Sequence, residues 1–213
     1  MLPSTLPIFP LPSVVLFPGV FLPLHIFEAR YRQMVSDALA GDRMIGMVLL
    51  QPGYEKDYER SPSVYDVGCA GLITHVERLN DGRFNLVLRG LERFRIVGEE
   101  NPSTTLLYRR ALIAPMAEYE FESPTTALKS ERQRLEAMLA PLLGGTLAER
   151  GLPPAMPDED LINALSQYLE LEPIEKQALL ERDGPLARCR SLVELLEMKA
   201  LIDKGHAGEG RIH

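Results

Sequence analysis

The sequence predicts an α+β chain, with a mainly antiparallel β half that carries one helix, followed by a helical half. Three observations carry that prediction. Six of the 17 prolines lie between Pro3 and Pro23, threaded through Ile8, Phe9, Leu11, Val14, Val15, Leu16, Phe17, Phe21, Leu22 and Leu24. Proline fixes φ and lacks an N–H, so this stretch reads as short buried extended pieces broken at set points. Residues 66–97 hold the strongest strand signal, with apolar-rich runs on either side of Asp81-Gly82. At Ser123 the spacing of apolar residues changes from 2 to 3.6.

The elements follow in order. Residues 28–39 place Tyr31, Met34, Val35, Ala38 and Leu39 on one helical stripe, ended by Gly41-Asp42. Met44–Leu50 is a short apolar run bounded by turn residues, a buried strand. Residues 51–63 form a polar loop. Gly71–Leu79, the turn at 80–82 and Arg83–Leu88 form a hairpin. Gly90 separates off a further strand, Glu92–Val97, in which Phe94 and Ile96 alternate with Arg93 and Arg95. Thr104–Ala114 is the last strand. Ser123-Pro124 then reads as an N-cap with proline at the first helical position. Leu128, Leu135, Met138, Leu139 and Leu142 continue that helix until Gly144-Gly145. Leu161, Ile162, Leu165, Tyr168 and Leu169 mark a second, Glu172-Pro173 opens a third, and Leu186, Cys189, Leu192, Val193 and Leu196 a fourth. The expected domains are residues 1–122, residues 123–205 and a flexible tail at 206–213.

Composition narrows the function. The chain has 213 residues, 46% of them hydrophobic, enough for a real core. Its net charge of −7 is shared between the halves, which argues against nucleic acid and anionic membranes as partners. No apolar run reaches the ~18 residues of a membrane-spanning helix. The N-terminal stretch lacks the basic region and unbroken apolar core of a signal peptide. Cys69 and Cys189 lie far apart with no CxxC, which fits reduced thiols in the cytoplasm and neither a disulfide framework nor a zinc site.

Motifs for chemistry are missing. The five lysines, Lys56, Lys129, Lys176, Lys199 and Lys204, include none that follows a glycine, so there is no phosphate-cradling Gly-Lys-Ser/Thr loop. There is no GxSxG elbow, and His25, His75, His206 and His213 include no HExxH. Cys69 and His75 stand about 20 Å apart along an extended strand, too far for a nucleophile and its base. The sequence therefore predicts no catalytic residue, no cofactor and no metal.

Two clusters remain as binding candidates. Arg83, Arg89, Arg93, Arg95, Arg109 and Arg110 gather where only Glu92, Glu99 and Glu100 oppose them. They form either a basic face for carboxylate or phosphate, or the solvated face of an open sheet. His25, Phe27, Glu28, Arg30 and Tyr31 either line a groove or serve the fold, with Phe27 and Tyr31 as i, i+4 partners and Arg30 paired to a carboxylate. From these clusters the candidate peptide-binding set is His25, Phe27, Arg30, Tyr31, Arg89 and Arg93.

The opening stretch also carries a family likeness. Ile8-Phe9-Pro10-Leu11, Leu16-Phe17-Pro18-Gly19 and Pro23-Leu24-His25-Ile26-Phe27-Glu28-Ala29-Arg30-Tyr31 resemble the start of the Lon N-terminal, or substrate-binding, domain. Val67-Gly68, Asp81-Gly82, Gly90-Leu91-Glu92-Arg93-Phe94 and residues 175–181 extend the resemblance over about 5–200, with Cys69 a departure where the family usually has threonine. It implies a PUA-like pseudo-barrel followed by a helical bundle, in a stand-alone member without the ATPase and peptidase of Lon proteases. The expected function is a non-catalytic module for exposed polypeptide segments or a protein partner, binding between its two lobes. Phe17, Phe21, Phe27 and Tyr31 are candidates to line the groove, and an edge strand could accept a peptide. Alternatives are a hydrolase or other enzyme with an unrecognised site, and an RNA-binding PUA-like protein.

Overall fold

The computed structural model describes residues 2–56, 58, 61–101, 105–117, 125–143 and 156–209. Six strands and five helices are present among them. They are β1 (Thr5–Leu11), β2 (Phe21–Ile26), α1 (Ala29–Ala40), β3 (Met44–Leu49), β4 (Val67–Arg78), β5 (Phe84–Glu99), β6 (Arg109–Met116), α2 (Thr125–Leu143), α3 (Asp158–Tyr168), α4 (Pro173–Leu180) and α5 (Gly184–Glu209). The predicted α+β architecture, β-rich first and helical second, is the one observed. No described helix is long and apolar enough to cross a membrane.

The strands form one sheet in the order β2-β5-β4-β3-β1-β6, and β6 pairs again with β5. The ring β5-β4-β3-β1-β6 is thus closed, a barrel without open edges of its own. The length of β5 makes this possible. Its first part, Phe84–Arg89, pairs with β2, while Arg93–Glu99 pairs with β6. Gly90 does not divide it into two strands as the sequence suggested. All pairings are antiparallel except β1 with β3, where Ile8 aligns with Gly46 and Leu11 with Leu49. Between those two strands the chain runs out through β2 and returns through α1, so it re-enters in the same direction. The last strand starts at Arg109, five residues later than expected, and Ser123-Pro124 and the glycines at 144, 145 and 151 lie outside the described residues.

Leu6, Ile8, Val48, Leu50, Ala70, Phe94, Ala111 and Ile113 fill the barrel. Phe94 explains the Val67-Gly68 motif. A Cβ on Gly68 would lie 2.7 Å from the Phe94 ring and 2.4 Å from the Met47 carbonyl oxygen, so the ring fits only because that position is bare. Cys69 is fully buried, the small apolar filler its environment calls for. On α1, Tyr31, Met34, Val35 and Ala38 are buried, and the Tyr31 ring meets Phe9 of β1 at 4.3 Å.

The Leu16-Phe17-Pro18-Gly19 motif is a tight turn laid against β5. Pro18 supplies the fixed φ at its second position, Gly19 has φ +75°, and the Val20 N–H donates to the Phe17 carbonyl. The Gly19 N–H donates to the Gly90 carbonyl at 3.0 Å and the Gly90 N–H to the Val20 carbonyl at 2.8 Å, the pattern of a glycine-led β-bulge.

The chain divides into two compact units. One holds Met1–Glu118 and Asn163–Glu181, the other Tyr119–Ile162 and Arg182–His213. The sequence placed one cut near residue 122, whereas Asn163–Glu181 groups with the barrel. Gln167 accepts from the Phe17 N–H at 3.0 Å, Gln177 donates to the Val67 carbonyl at 2.9 Å, and Arg93 donates to the Leu180 carbonyl at 2.9 Å. Pro173 starts α4 after Glu172, whose N–H is accepted by Glu175 at 2.7 Å. In the second unit Leu135, Leu139, Leu161, Ile162, Cys189, Leu192 and Val193 are buried. Arg132 pairs with Asp158 at 2.6 Å, and Arg134 bridges α2 to Glu197 of α5. α5 runs to Glu209, past the point where the sequence placed the start of a flexible tail.

Candidate polypeptide-binding surface

The six residues singled out from sequence do not converge on one site. Tyr31 and Arg93 are 4% and 2% exposed and hold the fold. The Tyr31 phenol, buried against Phe9, is pushed well above its ordinary pKa, chiefly by desolvation. Arg93 was expected on an open face beside Phe94. That part of β5 is instead covered on both sides, with Phe94 in the barrel and Arg93 against α4. There its guanidinium meets a carbonyl of the last turn, where a helix favours positive charge.

Arg30 is occupied within the fold. Its Nε and Nη2 reach Glu28 at 3.0 and 2.9 Å, and Nη1 donates to the Tyr58 carbonyl at 3.1 Å. The guanidinium lies over the rings of Tyr31 and Tyr58, 4.6 and 4.8 Å from their centroids. The Tyr58 hydroxyl donates to Glu28 at 3.1 Å, and its pKa is raised by burial and by that carboxylate. This cluster fastens the loop after β3 onto the start of α1. Phe17 also belongs to the fold, being fully buried in its turn rather than lining a groove.

His25, Phe27 and Arg89 remain exposed. In β2, Phe21, Pro23 and His25 face outward, while Leu22, Leu24 and Ile26 lie on the opposite side, as period-2 alternation requires. Their partners on β5 are Arg89, Val87 and Asn85, and on β4 His75 stands opposite Val87 and Glu77 opposite Asn85. Pro23, Leu24, His25, His75, Asn85, Leu86 and Val87 line a wide, open hollow. Phe21 is 50% and Phe27 61% exposed, and the rings of His25 and Phe27 lie nearly parallel at 6.3 Å. Such aromatic exposure on a folded domain is a mark of an interaction surface.

Hydrogen bonds fix His25 in this face. Asn85 donates through Nδ2 to Glu77 at 3.0 Å, which turns its Oδ1 toward His25 Nδ1 at 2.8 Å. Nδ1 therefore carries the hydrogen, and Nε2 faces Arg83 at 3.5 Å. Arg83 is itself bound to Asp81, whose carboxyl it lowers to about 2, chiefly through their side-chain hydrogen bond. Cys69 and His75 do not form a pair, since Cys69 is buried and His75 exposed. No group of three His, Cys, Asp or Glu side chains among the described residues could hold a metal ion.

The outer edge of β2 is poor in main-chain groups for an added strand. The Val20 carbonyl accepts from the Gly90 N–H and Phe21 lies next along β2, opposite Arg89, so main-chain groups of Phe21, Pro23 and His25 turn away from β5. Pro23 has no N–H to offer, and the Phe21 carbonyl already accepts from the Tyr168 hydroxyl at 2.7 Å and from Gln167 at 3.3 Å. The expectation that an edge strand could accept a peptide therefore finds little support at β2. The face is the more open of the two. Neither Gln167 nor Tyr168 was recognised from sequence. Tyr168 sat on an apolar stripe and read as core, yet most of its ring is exposed. The arginine group likewise dissolves into separate pairs: Arg109 with Glu99, Arg110 with Glu100 and Thr5, Arg83 with Asp81.

A closed barrel with one helix on its flank, and a β-ribbon extended from its longest strand, is the PUA-like β domain that opens Lon proteins. The chain belongs to the substrate-binding domain family of ATP-dependent protease La (Lon), whose model matches residues 5–198. It is 29% identical to a Lon protease of Trichlorobacter lovleyi over 92% of this chain and 24% of the relative, and 30% identical to one of Flavobacterium johnsoniae over 86% and 22%. The chain therefore spans about a quarter of the length of those relatives. Among solved structures it resembles a Lon N-terminal domain protein from Xanthomonas campestris, with a TM-score of 0.60 and 25% identity over 90% of this chain and 98% of that one. The N-terminal domain of a Mycobacterium avium complex Lon protease shares the fold, with a TM-score of 0.65 and 18% identity over 91% and 98%.

Proposed function

We propose that this chain is a non-catalytic polypeptide-binding module that holds exposed apolar segments of unfolded proteins on the outer face of β2, β5 and β4. The observation that carries this reading is the pair of half-exposed rings, Phe21 and Phe27, beside a hollow lined by Pro23, Val87 and two histidines. Membership of a substrate-binding domain family supports it. Covering the open half of each ring, roughly 100 Å², contributes about 2–3 kcal/mol. Part of that is offset by ordering the bound chain, so the expected affinity is on the order of micromolar.

The test is titration of a fluorescently labelled, reduced and unfolded protein. Saturable binding in the micromolar range is expected, weakened at least about tenfold in a Phe21→Ser, Phe27→Ser double variant. Both side chains are exposed, so the variant should melt like the parent. Unchanged binding by that variant would refute this surface, and no saturable binding up to high micromolar protein would refute the module. Purified protein that cleaves casein or turns over ATP, with the activity lost on a point mutation, would overturn the non-catalytic reading.

A further inference from the structure

We infer that Arg89 makes this face selective for segments that set a carboxylate beside an apolar side chain, an inference that rests on the function just proposed. Arg89 is exposed and lies directly opposite Phe21, in a pair that does not exchange main-chain hydrogen bonds. In such pairs the side chains stand closest, so ring and guanidinium share one patch. Leu72 of β4 flanks Arg89 on the other side, and Val87 follows it on the same face. Asp81, Glu99 and Glu100 engage Arg83, Arg109 and Arg110 respectively, and Arg93 is buried against α4. Arg89 forms no ion pair among the described residues. Glu77, the acid on this face, pairs in register with Asn85, four residues along β5 from Arg89 and so about 13 Å away.

The face thus has a basic end at Arg89 and Phe21, an apolar middle at Pro23 and Val87, and a far end where Glu77 stands with the Arg83–Asp81 pair beside His25. An extended segment crossing it can bury apolar side chains in the middle only if what it sets against Arg89 does not repel the guanidinium. A carboxylate there gains a charge-assisted hydrogen bond, whereas a lysine or arginine is rejected. Arg83, the other cation of this face, is held by Asp81, so Arg89 decides which apolar segments are retained.

The experiment uses two capped peptides of about nine residues, alike in their Phe and Leu positions and differing by one central Asp or Asn. Binding to the whole protein is followed by anisotropy at 50 and 500 mM salt. The Asp peptide should bind about threefold to fivefold tighter at low salt, a preference that shrinks at high salt, as expected of an exposed pair. Arg89→Gln should erase the preference while leaving the Asn peptide's affinity unchanged. Arg83→Gln should leave the preference intact, because Asp81 already holds Arg83. Equal affinity for the two peptides, or a preference that survives Arg89→Gln, overturns this inference and leaves the proposed function standing. No binding of either peptide overturns both. Displacement of the peptide by stoichiometric single-stranded RNA, dependent on Arg89, would assign the residue to phosphate instead and also overturn it.

Discussion

Gly90→Ala is the sharpest test of how the opening motif is built into the barrel. A Cβ at this position would lie 2.0 Å from the Phe17 carbonyl oxygen, 2.8 Å from its carbonyl carbon and 3.2 Å from Cα of Pro18. All three are main-chain atoms, so no side-chain rotation relieves the overlap, and the turn must retreat by about 1 Å or more to reach ordinary contact. Retreat strains the two hydrogen bonds that fasten Gly19 and Val20 to Gly90, worth about 1 kcal/mol each. It also unseats the fully buried Phe17, and forced repacking of that kind costs about 1–3 kcal/mol. The expected loss is about 3–5 kcal/mol, a large share of the roughly 5–15 kcal/mol that holds a domain together. Urea unfolding followed by tyrosine fluorescence measures it. Gly98→Ala is the control on the same strand. Its Cβ would meet only a Leu112 methyl at 3.4 Å, and its cost should stay under about 1 kcal/mol. If Gly90→Ala stays within about 1 kcal/mol of the parent, the close approach of turn and strand is not what fixes the motif.

Two further outcomes follow from buried groups. Arg93→Ala removes a buried cation from the last carbonyl of α4 and should cost about 3 kcal/mol, with faster amide exchange in α4, whereas Arg93→Met refills the space and should recover part of the loss; equal, negligible effects would contradict the role given to Arg93. Burial, followed by the carboxylates of Glu131 and Asp158, pushes the Cys189 thiol up to about 11. Its neutral form is therefore the one the fold favours: the stability it contributes is complete below the unfolded thiol's pKa near 9 and fades as pH rises through 11. Iodoacetamide at pH 8 should label Cys189 far more slowly in the native protein than in urea, and native labelling at the unfolded rate would refute this.

The fold was legible because its strongest signals are local. Proline placement, the Asp81-Gly82 hairpin and the change of period each act within a few residues, and α1, β3 and the β4–β5 hairpin lie where those signals put them. The departures all depend on distant partners. Gly90 reads as a strand break until the carbonyl of Phe17 is seen to occupy the space a Cβ would take. Arg93 reads as a solvated charge because a period-2 pattern cannot announce that a helix eighty residues later will cover it. Tyr168 sits on an apolar helical stripe and Gln167 beside it, and nothing local says that they will cap the free carbonyl of Phe21.

The candidate surface was half legible for the same reason. Aromatic surplus near β2 is visible in the sequence, but which rings stay outside is decided by pleat parity, which needs the register. Once Phe21 is opposite Arg89 and His25 opposite Asn85, the odd positions of β2 share a face with the odd positions of β5. That parity also turns the main-chain groups of those positions toward the unpaired edge. The proline at position 23 then has two consequences at once. It denies that edge a donor, which guards against unwanted strand pairing, and it leaves an apolar ring on the exposed face. For the proposed function both properties count, because a face that holds unfolded chains without adding them to its own sheet needs an apolar surface beside a poor edge, and here one residue supplies both.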